Sequence, residues 1–472
     1  MADVVEGAHG ADVAESDVIV IGMGPGGEAA AGELAEAGLS VIGVESRLVG
    51  GECPYYGCIP SKMIIRAANA VAEARRVPEL AGDASVRPSL APAARRIRTE
   101  ATDSWDDQAA ADRFVGKGGT LVRGRGRITG PRTVVVAGPD GDREFTARRA
   151  IIVNPGTEPA VPPIPGLAET PFWTNRDILT ATEAPESLCV LGGGAIGLEL
   201  AQAFARLGSR VTIVEAADRL LSIEEPEASE LLATVLGAEG LTLQVGTAAK
   251  AVRHDAGAGP DGEFTVELEG DQVRARRLLV ATGRRTDLRS LGIAALGLPA
   301  DARFVDPDDR MRIADGVYAI GDITGKGAFT HMSMYQSGIV VRDILGQPGT
   351  PAEYHAVPRV TFTDPEIGAV GLTEAQARAA GHRLRIGFAP LSSSTRGWIY
   401  GPGGEGFVKL VEDADSGVLV GATSAGPSGG EVLSALTVAV HARVTTAQLR
   451  RMIWAYPTFH RVLDTALADL ET

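Results

Sequence analysis

The chain has 472 residues, of which 44% are hydrophobic and 22% are charged. This is the composition of an ordinary globular protein, so it excludes a disordered or fibrous chain, and the length predicts about three domains. The formal net charge of −15 argues against nucleic acid and an anionic membrane surface as partners, because phosphate groups are bound by clustered Lys and Arg.

The N-terminal residues and the cysteines bear on location. Met1–Asp17 is acidic and has no basic stretch before an apolar run, so it does not have the pattern of a secretory signal. No apolar stretch approaches the roughly 20 residues that span a bilayer. Three cysteines, Cys53, Cys58 and Cys189, cannot build a disulfide scaffold in so long a chain. We therefore expect a cytoplasmic protein with no membrane partner.

The first structured segment predicts a βαβ unit. Asp17–Ile21 is a continuous apolar run of the kind that forms a buried parallel strand. An alanine-rich, helix-compatible stretch covers Ala29–Ala37, and a second strand covers Ser40–Val44 and ends at Glu45. Three glycines stand between the first strand and the helix, namely Gly22, Gly24 and Gly27.

The same pattern recurs about 170 positions further along the chain. Ser187–Leu191 predicts a strand, Leu198–Leu207 a helix, and Arg210–Val214 a strand that ends at Glu215. The glycines of this copy are Gly192, Gly194 and Gly197. Two such units imply two mononucleotide-binding folds.

The glycine spacing G-x-G-x-x-G indicates what these units bind. The first glycine permits a tight turn, the second lets the backbone approach a pyrophosphate, and the third lets the helix pack on the strand. In each copy a carboxylate, Glu45 or Glu215, follows the last glycine by 18 residues and is placed to accept hydrogen bonds from a ribose 2′-OH. Glu215 would repel a 2′-phosphate, which favours NADH, although the nearby Arg219 leaves NADPH open.

Two of the three cysteines stand five positions apart, in Cys53-Pro54-Tyr55-Tyr56-Gly57-Cys58, directly after the first βαβ unit. They could be buried thiols or half of a metal site, but zinc would need two more ligands and the chain has no partner CxxC or HxxxH motif. We favour a reversible disulfide beside a flavin and expect no metal site. Cys189 lies in an apolar strand and is predicted to be an inert core residue.

At this point the sequence resembles the flavoprotein disulfide reductases, the family of dihydrolipoamide dehydrogenase, glutathione reductase and mercuric reductase. The resemblance covers nearly the whole chain. It rests on motifs that occur in this order: residues 22–27, Gly50-Gly51-Glu52-Cys53 through Gly57-Cys58-Ile59-Pro60-Ser61-Lys62, residues 192–197, Ala281-Thr282-Gly283-Arg284, Ala319-Ile320-Gly321-Asp322, Phe362-Thr363-Asp364-Pro365-Glu366 and Val370-Gly371-Leu372-Thr373.

The resemblance implies an α/β fold with two Rossmann-like domains, for FAD and NAD(P), and a C-terminal α+β dimerisation domain. The expected boundaries are 1–150 for the FAD domain with its cysteine pair, 151–280 for the NAD(P) domain, 281–349 for the return to the FAD and central domain, and 350–472 for the dimerisation domain. It also implies a homodimer whose active site combines residues of both chains.

The resemblance further implies the cofactors FAD and NADH, with NADPH as the other option. The residues it assigns to FAD are Gly22, Gly24, Gly27, Glu45, Gly51, Lys62, Gly126, Gly321 and Asp322, the last on the ribityl or pyrophosphate side. Those it assigns to the pyridine nucleotide are Gly192, Gly194, Gly197, Glu215 and Gly283.

For catalysis, the resemblance implies that Cys58 is the thiolate against the flavin and that Cys53 is the interchange thiol that attacks the substrate. Lys62 would approach the flavin N5 region and pair with Glu199. The substrate class would be a small thiol or disulfide.

The C-terminal segment departs from the family, which has His-Pro-Thr-x-x-Glu there. In Ala455-Tyr456-Pro457-Thr458-Phe459-His460-Arg461 a tyrosine replaces the histidine and Arg461 replaces the glutamate. A phenol, whose ordinary pKa is about 10, is a poor base near pH 7 but can donate a hydrogen bond. Tyr456 and His460 are both candidate site residues, and His460 is expected to point elsewhere.

This departure leaves alternatives to a disulfide reductase. One is reduction of a metal ion, as in mercuric reductases, although the chain has no cysteine pair near Thr472; another is reduction of a quinone. An alternative of another class is a flavoprotein interaction subunit whose chemistry has decayed. Asn154-Pro155-Gly156, where the family has Ala-Thr-Gly, is interpreted as a loop variation.

Overall fold

The computed structural model describes residues 14–139, 141–259 and 262–470. The chain divides into two units. The first unit consists of the described residues up to Pro60, together with Arg96–Glu158 and Arg284–Tyr354. The second consists of Ser61–Arg95, Pro159–Gly283 and the described residues from His355 onward.

The strands of the described residues are, in chain order, β1 (Glu15–Ile21), β2 (Val41–Glu45), β3 (Thr120–Arg123), β4 (Arg125–Gly130), β5 (Thr133–Gly138), β6 (Gly141–Val153), β7 (Glu158–Pro159), β8 (Ser187–Leu191), β9 (Arg210–Glu215), β10 (Thr242–Val245), β11 (Ala251–Asp255), β12 (Glu263–Glu267), β13 (Gln272–Ala275), β14 (Arg277–Val280), β15 (Arg284–Arg285), β16 (Arg312–Ala314), β17 (Val317–Ala319), β18 (Pro358–Thr361), β19 (Glu366–Gly371), β20 (Leu384–Pro390), β21 (Phe407–Asp413) and β22 (Val418–Gly426).

The α-helices are α1 (Pro25–Glu36), α2 (Glu52–Tyr56), α3 (Cys58–Leu80), α4 (Ala91–Arg96), α5 (Gln108–Gly116), α6 (Asn175–Ile178), α7 (Ala195–Arg206), α8 (Pro226–Ala238), α9 (Leu288–Leu291), α10 (Thr330–Ile344), α11 (Glu374–Ala379), α12 (Thr395–Tyr400), α13 (Gly429–His441), α14 (Thr446–Leu449) and α15 (Val462–Asp469). A π-helical turn covers Ile97–Ala101, and 3-10 turns cover Asp103–Trp105, Ile293–Leu296, Gly321–Thr324, Leu391–Ser393 and Phe459–Arg461.

The first unit is built on one sheet with the strand order β16-β17-β6-β1-β2-β3, to which β4 and β5 add an antiparallel extension beside β6. Strands β17, β6, β1, β2 and β3 run parallel. Val18 lies opposite Val41 on one side and Ala150 on the other. Because parallel strands are covered on both faces, residues 18–20 are fully buried. The register brings the ends of β1 and β2 to the same edge of the sheet.

The second unit repeats this arrangement with the parallel strand order β10-β9-β8-β14. Strand β8 is buried along its whole length, and helix α7 begins directly after its glycine turn. A separate antiparallel sheet, β11-β12-β13, packs around the fully buried Phe264. The two glycine turns therefore stand in equivalent places in the two units.

The C-terminal part of the second unit is an antiparallel sheet with the order β18-β19-β22-β21-β20. Helices α13 and α15 contribute to its core, where Leu410, Leu436 and Leu463 pack together. The segment that contains Tyr456 lies between α14 and α15. The α/β class with two Rossmann-like nucleotide-binding sheets and a C-terminal α+β part is thus confirmed.

A buried arginine at the end of α7 ties several elements of the second unit together. Arg206 is 2% exposed, and its guanidinium donates to Glu239 Oε2 at 2.9 Å and to Asp364 Oδ2 at 2.9 Å. It also donates to Asn69 Oδ1 at 2.6 Å. Since α7 also carries Glu199, this network fixes the helix that holds one of the predicted site residues.

We predict that Arg206→Met lowers the free energy of unfolding by about 3 kcal/mol, because it leaves Glu239 without its buried cation and Asp364 with Arg76 as its one remaining arginine partner. The matched control is Arg210→Met, which removes an arginine that is 76% exposed and pairs with Glu186. That loss should stay below about 1 kcal/mol. Urea-unfolding midpoints of both variants check this, and equal losses would contradict it.

Candidate functional site

The first glycine turn is shaped by close packing within the first unit. Gly22 has φ +93°, and a Cβ on it would lie 2.2 Å from the Asn154 carbonyl oxygen. A Cβ on Gly27 would lie 2.1 Å from the Gly22 carbonyl oxygen. Gly24 differs, because its Cβ would meet only Asn154 Nδ2, at 3.4 Å. Gly22 and Gly27 are thus required by close contacts within the protein, while Gly24 leaves open space above its backbone.

The second unit has the same geometry at its own turn. Gly192 has φ +112°, and its Cβ would meet the Ala281 carbonyl oxygen at 2.4 Å. The Cβ of Gly197 would lie 2.1 Å from the Gly192 carbonyl oxygen, whereas Gly194 has nothing within 4 Å. Open backbone at the start of a helix is the surface that a pyrophosphate needs. Both turns therefore fit a dinucleotide.

In each unit, a carboxylate at the end of the neighbouring strand accepts a hydrogen bond from the glycine turn. Glu45 Oε2 accepts a hydrogen bond from Met23 N at 2.8 Å, and Glu215 Oε2 accepts one from Gly193 N at 2.5 Å. Burial raises the pKa of Glu45, although the backbone N–H of Arg47 acts in the opposite direction. Each carboxylate is thus held at the edge where its strand ends, which is where a ribose would be bound.

Other predicted residues of the first unit gather around the first turn. A Cβ on Gly51 would lie 2.8 Å from Gly24 Cα, and a Cβ on Gly321 would lie 2.6 Å from Asn154 Oδ1. Asn154 itself is buried, and in its better-satisfied amide orientation it accepts a hydrogen bond from Gly27 N at 2.9 Å. It lies in a loop, as expected, but its side chain is part of the turn, which the sequence alone does not indicate.

Asp322 is connected to the cysteine segment by a chain of polar contacts. Its Oδ2 accepts a hydrogen bond from Thr157 Oγ1 at 2.7 Å, and that hydroxyl accepts from Arg284 Nε at 2.6 Å. The guanidinium of Arg284 also pairs with Glu52 at 3.1 Å. Thr157 and Glu52 were not singled out by the sequence, because their partners are distant along the chain.

Two further predicted glycines lie in segments that adjoin the two turns. Gly126 is in β4, and a Cβ on it would press on Ile21 and Val44 at 3.0 and 3.2 Å. It is therefore required by packing at the ends of β1 and β2. Gly283 has φ +118° in the second unit, with nothing within 4 Å of its Cβ position.

Cys53 and Cys58 are both free thiols in the structure, and their side chains are hydrogen-bonded to each other. Cys53 is half-buried and Cys58 is exposed. The Thr330 hydroxyl, at the first residue of α10, lies 3.5 Å from Cys58 Sγ and also bonds to Cys53. The positive N-terminal end of a helix favours a nearby thiolate.

The pKa of Cys53 lies well above its ordinary value, chiefly because of the hydrogen bond to Cys58 and then because of burial. A negative charge on Cys58 acts in the same direction. The two thiols therefore do not ionise together. Cys189 is fully buried in β8, and burial raises its pKa to about 12, which agrees with an inert core residue.

Lys62 and Glu199 meet within the second unit. Lys62 Nζ lies 2.7 Å from Glu199 Oε2 and 4.6 Å from the centre of the Phe362 ring. Glu199 is 6% exposed, and its other oxygen accepts a hydrogen bond from Phe362 N at 2.9 Å. The carboxylate is fixed on both oxygens and so holds the ammonium group in one place.

The C-terminal candidates do not form an acid/base pair. Tyr456 is 68% exposed, and its hydroxyl lies 3.3 Å from Thr395 Oγ1. His460 is in the 3-10 turn that follows. Arg461 pairs with Asp464 at 3.1 Å, so the residue at the family's glutamate position is engaged with its own helix.

The described residues, 14–139, 141–259 and 262–470, contain no group of three His, Cys, Asp or Glu side chains placed to hold a metal ion. Within the same ranges, no helix combines the length and apolarity of a membrane span.

The sequence profile of the pyridine nucleotide-disulphide oxidoreductases matches residues 16–337, and the profile of their dimerisation domain matches residues 357–467. The chain belongs to this family. Pyridine nucleotide-disulphide oxidoreductases such as dihydrolipoyl dehydrogenase use FAD and NAD(P)H, so the resemblance seen in the sequence and its cofactors are confirmed. The dimerisation domain supports a homodimer.

Among curated relatives, dihydrolipoyl dehydrogenase from Chlorobaculum tepidum is 35% identical over 97% of each chain. Mercuric reductase from Shigella flexneri is 33% identical over 93% of this chain and 78% of its own. Among solved structures, a Cu(II) complex of the HOCl-induced flavoprotein disulfide reductase RclA from Escherichia coli is 27% identical, with a TM-score of 0.83 over 96% of this chain and 99% of that one. LpdA from Mycobacterium tuberculosis is 26% identical, with a TM-score of 0.83 over 97% and 100%.

We predict that Gly24→Ala leaves this oxidoreductase folded but lowers its FAD content, because the added methyl group occupies only the open space of the turn. Gly27→Ala should instead lower the melting temperature, because its methyl group meets the Gly22 carbonyl oxygen. Flavin absorbance per chain and thermal unfolding check this. Equal melting temperatures for the two variants would contradict it.

We predict that Cys58→Ala speeds the alkylation of Cys53 by iodoacetamide at pH 8 several-fold. The substitution removes the hydrogen bond and the charge that raise the pKa of Cys53, so more of the thiol is ionised and reactive. Rates are measured on reduced protein by mass spectrometry of the Cys53 peptide. An unchanged or slower rate would show that Cys58 does not control the Cys53 pKa.

Proposed function

We propose that the protein is an NADH-linked reductase in which Cys53 and Cys58 pass electrons, as a dithiol, to a thiol/disulfide substrate. The observation that carries this proposal is the contact of the two thiols with each other and with the Thr330 hydroxyl. When bound, FAD accepts a hydride from NADH and supplies an electron pair to the disulfide. The first glycine turn, Glu45 and Asp322 would hold the FAD.

The two cysteines divide the exchange between them. The Cys53 thiolate attacks one sulfur of the substrate disulfide, forms a mixed disulfide and releases one substrate thiol. The Cys58 thiolate then attacks Cys53 Sγ, releases the second substrate thiol and leaves a Cys53–Cys58 disulfide. Two electrons leave the protein, and the two protons of the dithiol end on the product thiols.

In this proposal Lys62 supplies a positive charge, and Glu199 holds its ammonium group in one place. Lys62 lies four residues after Cys58 in α3, and the buried Glu199 orients it. A fixed cation stabilises developing negative charge more strongly than a mobile, solvated one. Tyr456 would serve the dithiol of the partner subunit and would donate a hydrogen bond rather than remove a proton.

A soft metal ion is the second candidate acceptor, and the C-terminal segment favours it. Thiolates bind soft ions directly, so the transfer needs no proton delivered to a leaving thiol. Tyr456 and Arg461 stand where a disulfide reductase of this family has its histidine and glutamate, and Arg461 is paired with Asp464. The relatives include mercuric reductases.

The acceptor is tested by NADH oxidation with the FAD-loaded enzyme. We expect turnover with lipoamide or another small disulfide that falls at least 100-fold in Cys53→Ser. If Hg(II) or Cu(II) is reduced faster than every disulfide, the second candidate is correct. Turnover of a quinone that survives in Cys53→Ser would contradict a dithiol route, and no turnover with any acceptor would favour a decayed interaction subunit.

The second unit supports NADH as the coenzyme. Arg219 donates to the backbone oxygens of Leu221 and Ser222 and to Ser229 Oγ at 3.3, 2.6 and 2.9 Å. Its guanidinium is therefore occupied by its own loop and by the first turn of α8 rather than turned toward a 2′-phosphate. Glu215 brings a negative charge to the ribose position, where a phosphate would be repelled.

We predict that kcat/KM for NADH exceeds that for NADPH by about 100-fold, since juxtaposed like charges cost several kcal/mol. Glu215→Gln should reduce the ratio about tenfold, because the charge is lost while the side-chain shape is kept. Arg219→Lys is the matched control and should leave the ratio unchanged. A preference of the unmodified enzyme for NADPH would contradict this assignment.

A further inference from the structure

A short segment of the first unit contacts the cysteine loop on both sides of Cys53. Residues 102–107, called the bracket below, lie between the π-helical turn and α5. Trp105 Nε1 donates a hydrogen bond to the Tyr55 carbonyl oxygen at 3.3 Å. Asp107 Oδ2 accepts one from Val49 N at 2.5 Å. In the sequence, Cys53 therefore lies between Val49 and Tyr55, and both of these residues are hydrogen-bonded to the bracket.

The bracket has an unusual backbone. Asp103, Ser104 and Trp105 have φ values of 44°, 60° and 62°, which L-residues other than glycine rarely adopt and then usually singly. Thr102 is 1% exposed and stabilises the turn, since its Oγ1 accepts from Trp105 N at 3.3 Å and donates to the Ile97 carbonyl oxygen at 3.0 Å. Strain of this kind persists where the surroundings impose it, often at functional sites.

The contact with Tyr55 satisfies a group that the fold leaves without a helical partner. Tyr55 lies near the end of the five-residue helix α2, and the last carbonyl groups of a helix have no donor within it. Gly57, with φ −135° and ψ −117°, ends α2 and sends the chain to Cys58. The indole of Trp105 thus fixes the turn that sets the position of Cys53 relative to Cys58.

The other end of the bracket is rigid because its carboxylate is held in place. Arg123 donates to both oxygens of Asp107, at 2.7 and 2.8 Å, and to the Arg47 carbonyl oxygen at 3.0 Å. Such bidentate pairs fix geometry as well as charge. Val49, which Asp107 holds, is fully buried.

We infer that Trp105 is a positioning residue for the dithiol centre, and that the bracket stabilises the Cys53–Cys58 disulfide by holding the two thiols close together. This inference rests on the proposed function. Closing the disulfide with glutathione disulfide forms one S–S bond, breaks another and yields two glutathione thiols, and the two thiol protons of the cysteines move to the glutathione products. Ring closure is easier when the chain between the sulfurs is already ordered.

The test is the equilibrium between the FAD-loaded enzyme and glutathione redox buffers, read by acid quenching, alkylation and mass spectrometry of the Cys53 and Cys58 peptides. Trp105→Phe keeps an aromatic ring but removes the N–H donor. We expect it to lower the equilibrium constant for the disulfide about three- to tenfold, the effect of one lost hydrogen bond. The matched control, Trp173→Phe, changes an indole that packs against Arg277 in the second unit and should have no effect.

A second pair of variants separates positioning from folding. Ser104→Gly relieves the left-handed conformation and should raise the melting temperature without changing the equilibrium constant. The double variant Ser104→Gly/Trp105→Phe should therefore fold well and still show the three- to tenfold decrease. If a folded double variant matches the unmodified enzyme, the inference is overturned while the proposed function stands. If the unmodified enzyme forms no Cys53–Cys58 disulfide in any buffer, the proposed function itself fails.

Discussion

The close contact between the first turn of a helix and the carbonyl group of the glycine that begins the preceding turn is the constraint on which both units depend. At Gly27 and Gly197 a side chain would lie 2.1 Å from the carbonyl oxygen of Gly22 or Gly192. Because Gly27 and Gly197 have no side chain, α1 and α7 can begin directly beside their sheets. In each turn the middle glycine keeps an open backbone surface. The carboxylate at the end of the next strand, Glu45 or Glu215, accepts a hydrogen bond from the same turn. The glycine motif thus allows close packing of helix on sheet and leaves backbone open for a ligand at the edge of the same sheet.

Much of this organisation could be predicted because it is local. Continuous apolar strands, the glycine spacing and the cysteine pair each lie within a few residues, and their periodicity indicates their structure. The first helix begins earlier than the alanine run suggested, at Pro25, because proline is suited to the first turn of a helix. The contact of Cys58 with Thr330 joins residues 272 positions apart, so only the tertiary fold determines it. The contact of the Asn154 side chain with the first glycine turn is not predicted from the sequence for the same reason.

Charge in this acidic chain is organised around a few buried or half-buried cations. Lys409, whose side chain is 4% exposed, contacts Glu225, Glu227 and Glu374 at 2.7–3.0 Å. Arg206 is similarly buried between Glu239 and Asp364, whereas the partly exposed Lys62 pairs with Glu199 alone. Buried ion pairs add little net stability, but removing one partner is costly because the other charge remains. Such cations therefore fix the relative positions of elements within the second unit and add little to the free energy of unfolding.

The hydroxyl of Thr157 gives the polar chain at Asp322 a direction. A hydroxyl group has one hydrogen, and here it is used on Asp322, since Arg284 has only hydrogens to offer from the other side. As a carboxylate, Asp322 offers a ligand acceptor oxygens only. Any ligand atom that meets this carboxylate must bring its own hydrogen, which selects a sugar-like hydroxyl and rejects a phosphate oxygen. The hydroxyl of Thr157 is thus committed to Asp322 and has no hydrogen left to donate to a ligand.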